Sequence, residues 1–279
     1  MQLRVLGPLE IHRGDASVPL SPKLRDLLAV LLCHSGRTVS ADRLIDALWP
    51  RVPPRTAAKT LQGYVHHLRR ALGPDRLAFR PPGYALATRP GELDADCFTR
   101  RIQSGRQAIA TGETERGALL IREALALWRG VPYDGQEHLE PAGAEAFRLT
   151  ELRLSAAEEW AEAELARRQH ADVAHELYGI VADHPFRERP RAQLMRALHA
   201  MGRTVEALEV SREGRRRLAD ELGLDPSPAL QNLEQAILTH APTLPSPTPA
   251  EPPHRPSPPL HPDLRREPRP ALGSLGPGR

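Results

Sequence analysis

Between Arg51 and Leu72 the chain carries no carboxylate. Arg51, Arg55, Lys59, His66, His67, Arg69 and Arg70 stand there, interleaved with Thr56, Thr60, Gln62 and Gly63. Lys and Arg bind phosphate oxygens or guanine O6 and N7; Gln and Thr suit adenine and other base edges, or phosphate. At 100° per residue, Leu61, Val65, Leu68 and Leu72 fall within an arc of about 60° and must face a core. The opposite side then carries Arg55, Thr56, Lys59, Gly63, His66 and Arg70, with Thr60, Gln62, His67 and Arg69 on its flanks. The i,i+4 glutamate partners usual on a solvated helix are missing, so these cations repel one another until a polyanion meets them. Gly63 lets DNA approach the backbone closely, and Gln62 ranks below Lys59 and Thr56 because it lies nearer the side of the wheel. The bland alternative is a solvated Arg-rich helix.

A second group follows. Arg80 precedes Pro81-Pro82-Gly83 at the tip of an expected hairpin, where an arginine can enter a minor groove. Tyr84 either stacks within the domain or bonds a phosphate, and the sequence weighs these equally. Arg43 and Arg51 are further phosphate partners. Trp49 reads as core, because a Trp at a helix end buries its ring.

Other chemistries find no support. No HExxH, GxSxG, phosphate-loop or dinucleotide pattern occurs. His66 and His67 point about 100° apart on a helix and make no joint metal face. Cys33 closes an apolar helix and reads as buried and inert. The expected protein is not an enzyme and has no catalytic residue, metal or cofactor. Two cysteines without a CxxC pair, no spanning segment and no secretory signal point to the cytoplasm, in association with the nucleoid.

The cationic stretch needs a frame. Leu3 and Val5, then Leu9 and Ile11, alternate as strands. A helix follows with Ser21 as its cap, Pro22 in its first turn, and Leu24, Leu27, Leu28, Leu31 and Leu32 on one face. Ser40 caps a short second helix ending at Trp49-Pro50. The third runs from Arg55 to about Leu72, stopped by Gly73-Pro74, before the hairpin of Leu77–Phe79 and Tyr84–Leu86. Strands, three helices and a hairpin within residues 1–90 make the plan of a winged helix-turn-helix.

Beyond residue 95 the pattern is helical throughout, with expected helices at 95–110, 114–129, 141–169, 171–183, 188–201, 204–221 and 227–239. Gly202, Glu206-Ala207-Leu208 and Pro226 have the spacing of a tetratricopeptide repeat, and weaker units centre on Gly112 and His170. The fold class is therefore mainly α: an α/β winged helix domain (1–90), an all-α tetratricopeptide-like domain (95–241), and a disordered Pro-rich tail (242–279) with 13 prolines. Charge divides the same way. Residues 1–90 hold 14 basic and 6 acidic side chains, residues 91–241 hold 19 and 26, and the tail holds 5 and 3, so an overall +3 conceals a cationic domain joined to an acidic one.

Ordered motifs along residues 1–240 resemble the Streptomyces antibiotic regulatory proteins in their short form. In the first domain these are Leu6-Gly7-Pro8-Leu9-Glu10, Leu44-Ile45-Asp46-Ala47-Leu48-Trp49-Pro50, Thr60 through Gly73, and Gly83-Tyr84-Ala85-Leu86, which look like an OmpR-type winged helix. In the second they are Glu123 through Gly130, His184-Pro185-Phe186-Arg187-Glu188, Leu194 through Leu198, Gly202-Arg203, Glu206-Ala207-Leu208 and Glu221 through Pro226, which look like the bacterial transcriptional activation domain. The resemblance implies an activator of a secondary-metabolite (antibiotic) gene cluster. It implies binding to direct repeats in double-stranded promoter DNA as a dimer or tandem assembly, and recruitment of RNA polymerase holoenzyme. It also makes Arg55–Leu72 the recognition helix and Arg76–Thr88 the wing. Arg168 stands where the family commonly has a turn glycine, so that turn is expected to be looser. The alternative function is a tetratricopeptide adaptor with weak DNA contact.

Overall fold

A computed structural model describes residues 1–239; the Pro-rich tail expected from residue 242 lies outside the described residues. The chain opens with an antiparallel sheet of β1 (Gln2–Arg4), β2 (Glu10–Arg13) and β3 (Ala16–Val18). Leu3 pairs with Ile11 and Ile11 with Val18; Leu3 and Ile11 are buried, as period-2 alternation requires. Helix α1 (Pro22–Cys33) buries Leu27, Leu28, Leu31 and Leu32. Pro22 occupies its first turn, but the Ser21 side chain makes no capping bond. Burial pushes the Cys33 thiol up to about 11.

A strand unforeseen in the sequence follows, β4 (Thr38–Ser40). It pairs with β6 (Gly83–Leu86), which pairs with β5 (Leu77–Arg80), in the order β4-β6-β5. Between β4 and β5 lie α2 (Ala41–Leu48), whose N-cap Ser40 Oγ accepts from the Arg43 N–H at 3.2 Å, and α3 (Ala57–Leu72). Gly83 is obligatory in this sheet: a Cβ there would lie 1.9 Å from the Val39 carbonyl oxygen.

The rest is helical: α4 (Asp94–Ala110), α5 (Thr114–Leu125), α6 (Glu140–Ala166), α7 (His170–Asp183), α8 (Glu188–Ala200), α9 (Thr204–Arg217), a π turn (Leu218–Leu222) and α10 (Pro228–Leu238). α4/α5, α6/α7 and α8/α9 are hairpins with one turn design. The N–H of Glu113, Gln169 and Arg203 reaches back five residues to the carbonyl of Ala108, Glu164 and Leu198, each at 2.9 Å. The N–H groups of Gly112, Arg168 and Gly202 bond the carbonyls of Ile109, Leu165 and His199, completing the paired closure of a left-handed C-terminal cap. Arg168 adopts φ +63°, beside +86° and +77° at the two glycines. The looser turn expected at Arg168 is thus corrected: the bonds are kept, and a side chain bears the left-handed conformation at about 1–2 kcal/mol. Gly105 and Gly117 bring α4 and α5 into close contact, since a Cβ on either would meet isoleucine side chains within 2.6 Å.

α5 stops at Leu125, short of the expected 129, because the chain is drawn off to the first sheet. The Arg129 N–H bonds the Leu6 carbonyl at 2.8 Å, and the Tyr133 N–H bonds Val5 at 2.9 Å. From the other side, the Asp94 carboxylate accepts from the N–H groups of Val5 (2.8 Å) and Leu6 (3.1 Å). Burial raises the Asp94 carboxyl, against the downward pull of those two N–H groups. The winged half and the helical half therefore share a bonded seam and one continuous apolar core.

Candidate nucleic-acid interface

Helix α3 packs on α1, α2 and β5 through Leu61, Val65, Leu68 and Leu72, all buried as the wheel requires. Its entry is fixed by Trp49, which is half-buried and stacks on Tyr64 with centroids 6.2 Å apart and planes 18° apart. The expected core role of Trp49 agrees with this packing. Its exit is fixed by Arg13, whose guanidinium donates to the carbonyls of Ala71 (2.7 Å) and Arg70 (3.3 Å). A cation at these last carbonyls also suits the helix dipole. Sequence reading missed Arg13, whose partners lie far along the chain.

The opposite face is open. Lys59, Gln62, Gly63, His66, His67 and Arg70 are exposed on α3, with Arg55 and Thr56 exposed in the turn before it. The helix begins at Ala57, so Arg55 and Thr56 are pre-helical, and Thr56 is the N-cap residue. Arg43 and Arg51 are exposed nearby, at α2 and just beyond it. Among the described residues none of Arg43, Arg51, Arg55, Lys59 or Arg70 forms an ion pair, and the exposed Asp42 and Asp46 of α2 reach none of them. A Cβ on Gly63 would meet nothing within 4 Å. The glycine therefore serves no internal packing, although glycine within a helix costs about 1 kcal/mol relative to alanine.

Three expected site residues are placed differently. Arg69 is half-buried, and its Nε donates to the Leu77 carbonyl at 2.9 Å, so it ties α3 to β5 instead of facing outward. Thr60 is half-buried and donates its hydroxyl to the Thr56 carbonyl at 3.0 Å, leaving only acceptor capacity. Tyr84 is buried, with its ring edge-on to Phe79 at 5.4 Å. Of its two readings, packing within the domain is the one observed. Arg80 is exposed at the hairpin tip without an ion pair, beside exposed Pro81 and Pro82. Phe79, which the sequence reading did not single out, is 58% exposed next to it. Arg76, at the base of the hairpin, is occupied by Glu92 at 2.5 and 2.7 Å. The Arg76 guanidinium, through these bonds, holds the Glu92 carboxyl below its ordinary value.

The second half handles charge differently. Arg106 of α4 meets Glu159 of α6 at 2.7 Å, Arg196 of α8 meets Glu162 of α6 at 2.9 Å, and Glu158 takes Arg187 (3.1 Å) and Arg189 (3.5 Å). The first helices of successive hairpins are thus cross-linked by ion pairs. Among the described residues no group of three or more His, Cys, Asp or Glu is placed to hold a metal, and no helix is long and apolar enough to cross a membrane.

Comparisons with known proteins agree with this architecture. The family model "Transcriptional regulatory protein, C terminal" matches residues 15–86, and "Bacterial transcriptional activator domain" matches residues 93–238. The regulatory protein DnrI of Streptomyces peucetius is 37% identical over 250 residues, covering 85% of this chain and 92% of DnrI. The regulatory protein AfsR of Streptomyces griseus is 39% identical over 243 residues, 85% of this chain but only 24% of AfsR, so the chain spans about a quarter of that relative. The solved structure of Mycobacterium tuberculosis EmbR in complex with a low-affinity phosphopeptide superposes with a TM-score of 0.80 at 34% identity, over 87% of this chain and 66% of EmbR. These relatives are regulatory proteins, not enzymes. With a winged helix presenting an unpaired cationic helix, a cross-linked hairpin array behind it, and both family models matched in order, the chain belongs to the Streptomyces antibiotic regulatory protein family of transcriptional activators.

Proposed function

We propose that the protein is a sequence-specific double-stranded DNA-binding activator of a secondary-metabolite gene cluster, which binds direct repeats at promoters and recruits RNA polymerase holoenzyme. The observation that carries this reading is the outer face of α3 and the turn before it, where exposed Arg55, Lys59, His66, His67 and Arg70 meet no carboxylate. A face of that kind releases condensed counterions when it meets DNA phosphates, and this supplies sequence-independent affinity. Lys59, Gln62, Thr56 and Arg70 then read base edges in the major groove. Arg43 and Arg51 anchor the flanking phosphates, and Arg80 reaches into the adjacent minor groove. Arg69 and Thr60 act from behind, by fixing α3 to β5 and its first turn to itself.

In this reading residues 1–90 find the site and residues 95–241 set the tandem contact and present an acidic surface to polymerase. Direct repeats place successive copies head to tail on one face of the duplex, about one helical turn apart. Because the two halves share the Asp94 seam, the test uses the full chain. Footprinting of the full chain on promoters of neighbouring biosynthetic operons is expected to protect two segments in phase on one DNA face. Transcription reconstituted with holoenzyme is expected to rise on those templates alone. Uniform protection of unrelated DNA, or no change in transcription, would overturn the proposal.

A further inference from the structure

Where the first sheet meets α4 there is a cleft of about 390 Å³, within the range of small-molecule sites (roughly 300–1,000 Å³). Its walls include Arg4 of β1, Glu92, and Asp94, Cys97 and Arg101 of α4, together with Arg129. The charges on these walls do not cancel within the protein. Glu92 is already held by Arg76 and by the Arg89 N–H at 2.8 Å. Asp94 is taken by the N–H groups of Val5, Leu6 and Ala95, with the Arg129 guanidinium at 3.5 Å. Arg129 is shared further with Glu10 at 3.1 Å. Both carboxylates of the cleft are therefore used up. The Arg4 guanidinium donates to the neutral Gln2 amide oxygen, at 2.7 and 3.2 Å, and the Glu10 carboxylate opposite it in the sheet is already bonded by His12 and Arg129. Arg101 is half-buried and has no partner among the described residues.

Two partly desolvated guanidinium groups that line one cleft, neither with an ion pair of its own, are costly unless an anion joins them. Planar guanidinium groups bind phosphate or carboxylate through paired N–H donors. We propose that this cleft binds a small dianion, a phosphate or a dicarboxylate, between Arg4 and Arg101. The site links the two halves, since Arg4 belongs to the first sheet and Arg101 to the hairpin array. An anion bound there stabilises their docking by mass action and makes the seam responsive to a small metabolite.

The test uses the full chain without DNA, with calorimetric titration and thermal unfolding in inorganic phosphate and, separately, malonate, at ionic strength matched with chloride. Wild type is compared with Arg4→Gln, with Arg101→Gln, with Arg116→Gln as a surface control, and with the double variant Lys59→Ala/Arg70→Ala. At least one of the two anions is expected to bind saturably and raise Tm by a few degrees, and the one with the lower half-saturation names the ligand class. Affinity is expected to fall at least tenfold in Arg4→Gln and in Arg101→Gln, and to persist in Arg116→Gln. It should also persist in the double variant, which separates the cleft from the DNA face. A linear, unsaturated rise in Tm shared by all variants is the general effect of excluded salts and would overturn the proposal. So would loss of binding in the double variant alone, or no binding of either anion.

Discussion

The winged half holds 14 basic side chains and the helical half 19, yet the half with fewer carries the contiguous row of exposed, unpaired cations. In the helical half Arg106, Arg148, Arg167, Arg187, Arg196 and Arg203 each contact a glutamate, and several of those pairs bridge helices. On α3 and its approaches, Arg43, Arg51, Arg55, Lys59 and Arg70 contact none. The same residue type is structural cement in one place and an exposed, unpaired surface in the other. What separates them is the local supply of carboxylates. A pair that is partly shielded and cross-links two helices is compensated internally, whereas an exposed unpaired row is compensated only by a partner. This also weighs against the adaptor reading: Arg106 and Arg196, on the first helices of two hairpins, are already engaged by Glu159 and Glu162 and do not wait for an acidic peptide.

That contrast can be broken in several places. The largest effect expected is on salt dependence. If about six phosphates are neutralised, DNA affinity falls ~10³-fold between 50 and 200 mM salt. A mobility-shift titration showing a flat response would remove the cationic face from the mechanism. Next come two substitutions with mirror-image outcomes. Lys59→Ala and Arg70→Ala are each expected to weaken specific DNA binding by ~1–3 kcal/mol while leaving Tm unchanged. Glu158→Ala is expected to lower stability by about 2 kcal/mol and leave DNA affinity alone. That figure is below the cost for a fully buried pair, because Arg187 and Arg189 remain 28% and 23% exposed. Urea unfolding and fluorescence anisotropy on both sets decide the matter, and matching losses of stability and binding in either set would erase the distinction. The smallest effect is at Gly63. Gly63→Ala is expected to stabilise the free protein by about 1 kcal/mol while lowering DNA affinity, since its Cβ fills space open to solvent. A variant that gained stability and bound DNA as well as the parent would show that DNA does not approach the backbone there.

Much of the candidate interface was legible because its signals are local. The spacing of Leu61, Val65, Leu68 and Leu72 and the missing carboxylates lie within one helix, so periodicity alone divides it into a buried and an exposed face. Within that helix Arg69 and Arg70 are equivalent on composition. One becomes a structural donor only because the Leu77 carbonyl of a later strand comes to lie beside it. Tyr84 was open for a related reason: its burial depends on Phe79 and on Val39 of β4, a three-residue strand too short to show a period. Ser21 has the right residue type to cap α1 yet makes no such bond.

The repeat turns show the same division. Gly112 and Gly202 announce left-handed positions by residue type, but Arg168 does not, and it takes the same conformation because the two helices it joins must pack. By itself the sequence determined the order of the helices and the hairpin, the apolar faces, the split of charge between the halves and the family, all of which rest on residue type and short spacing. Only the tertiary structure decided which arginines remain free, how Asp94 binds the first sheet to α4, and that Arg4 and Arg101 share a cleft. Each of these brings together atoms far apart in the chain, and such proximity is set by packing the whole core, which no local pattern encodes.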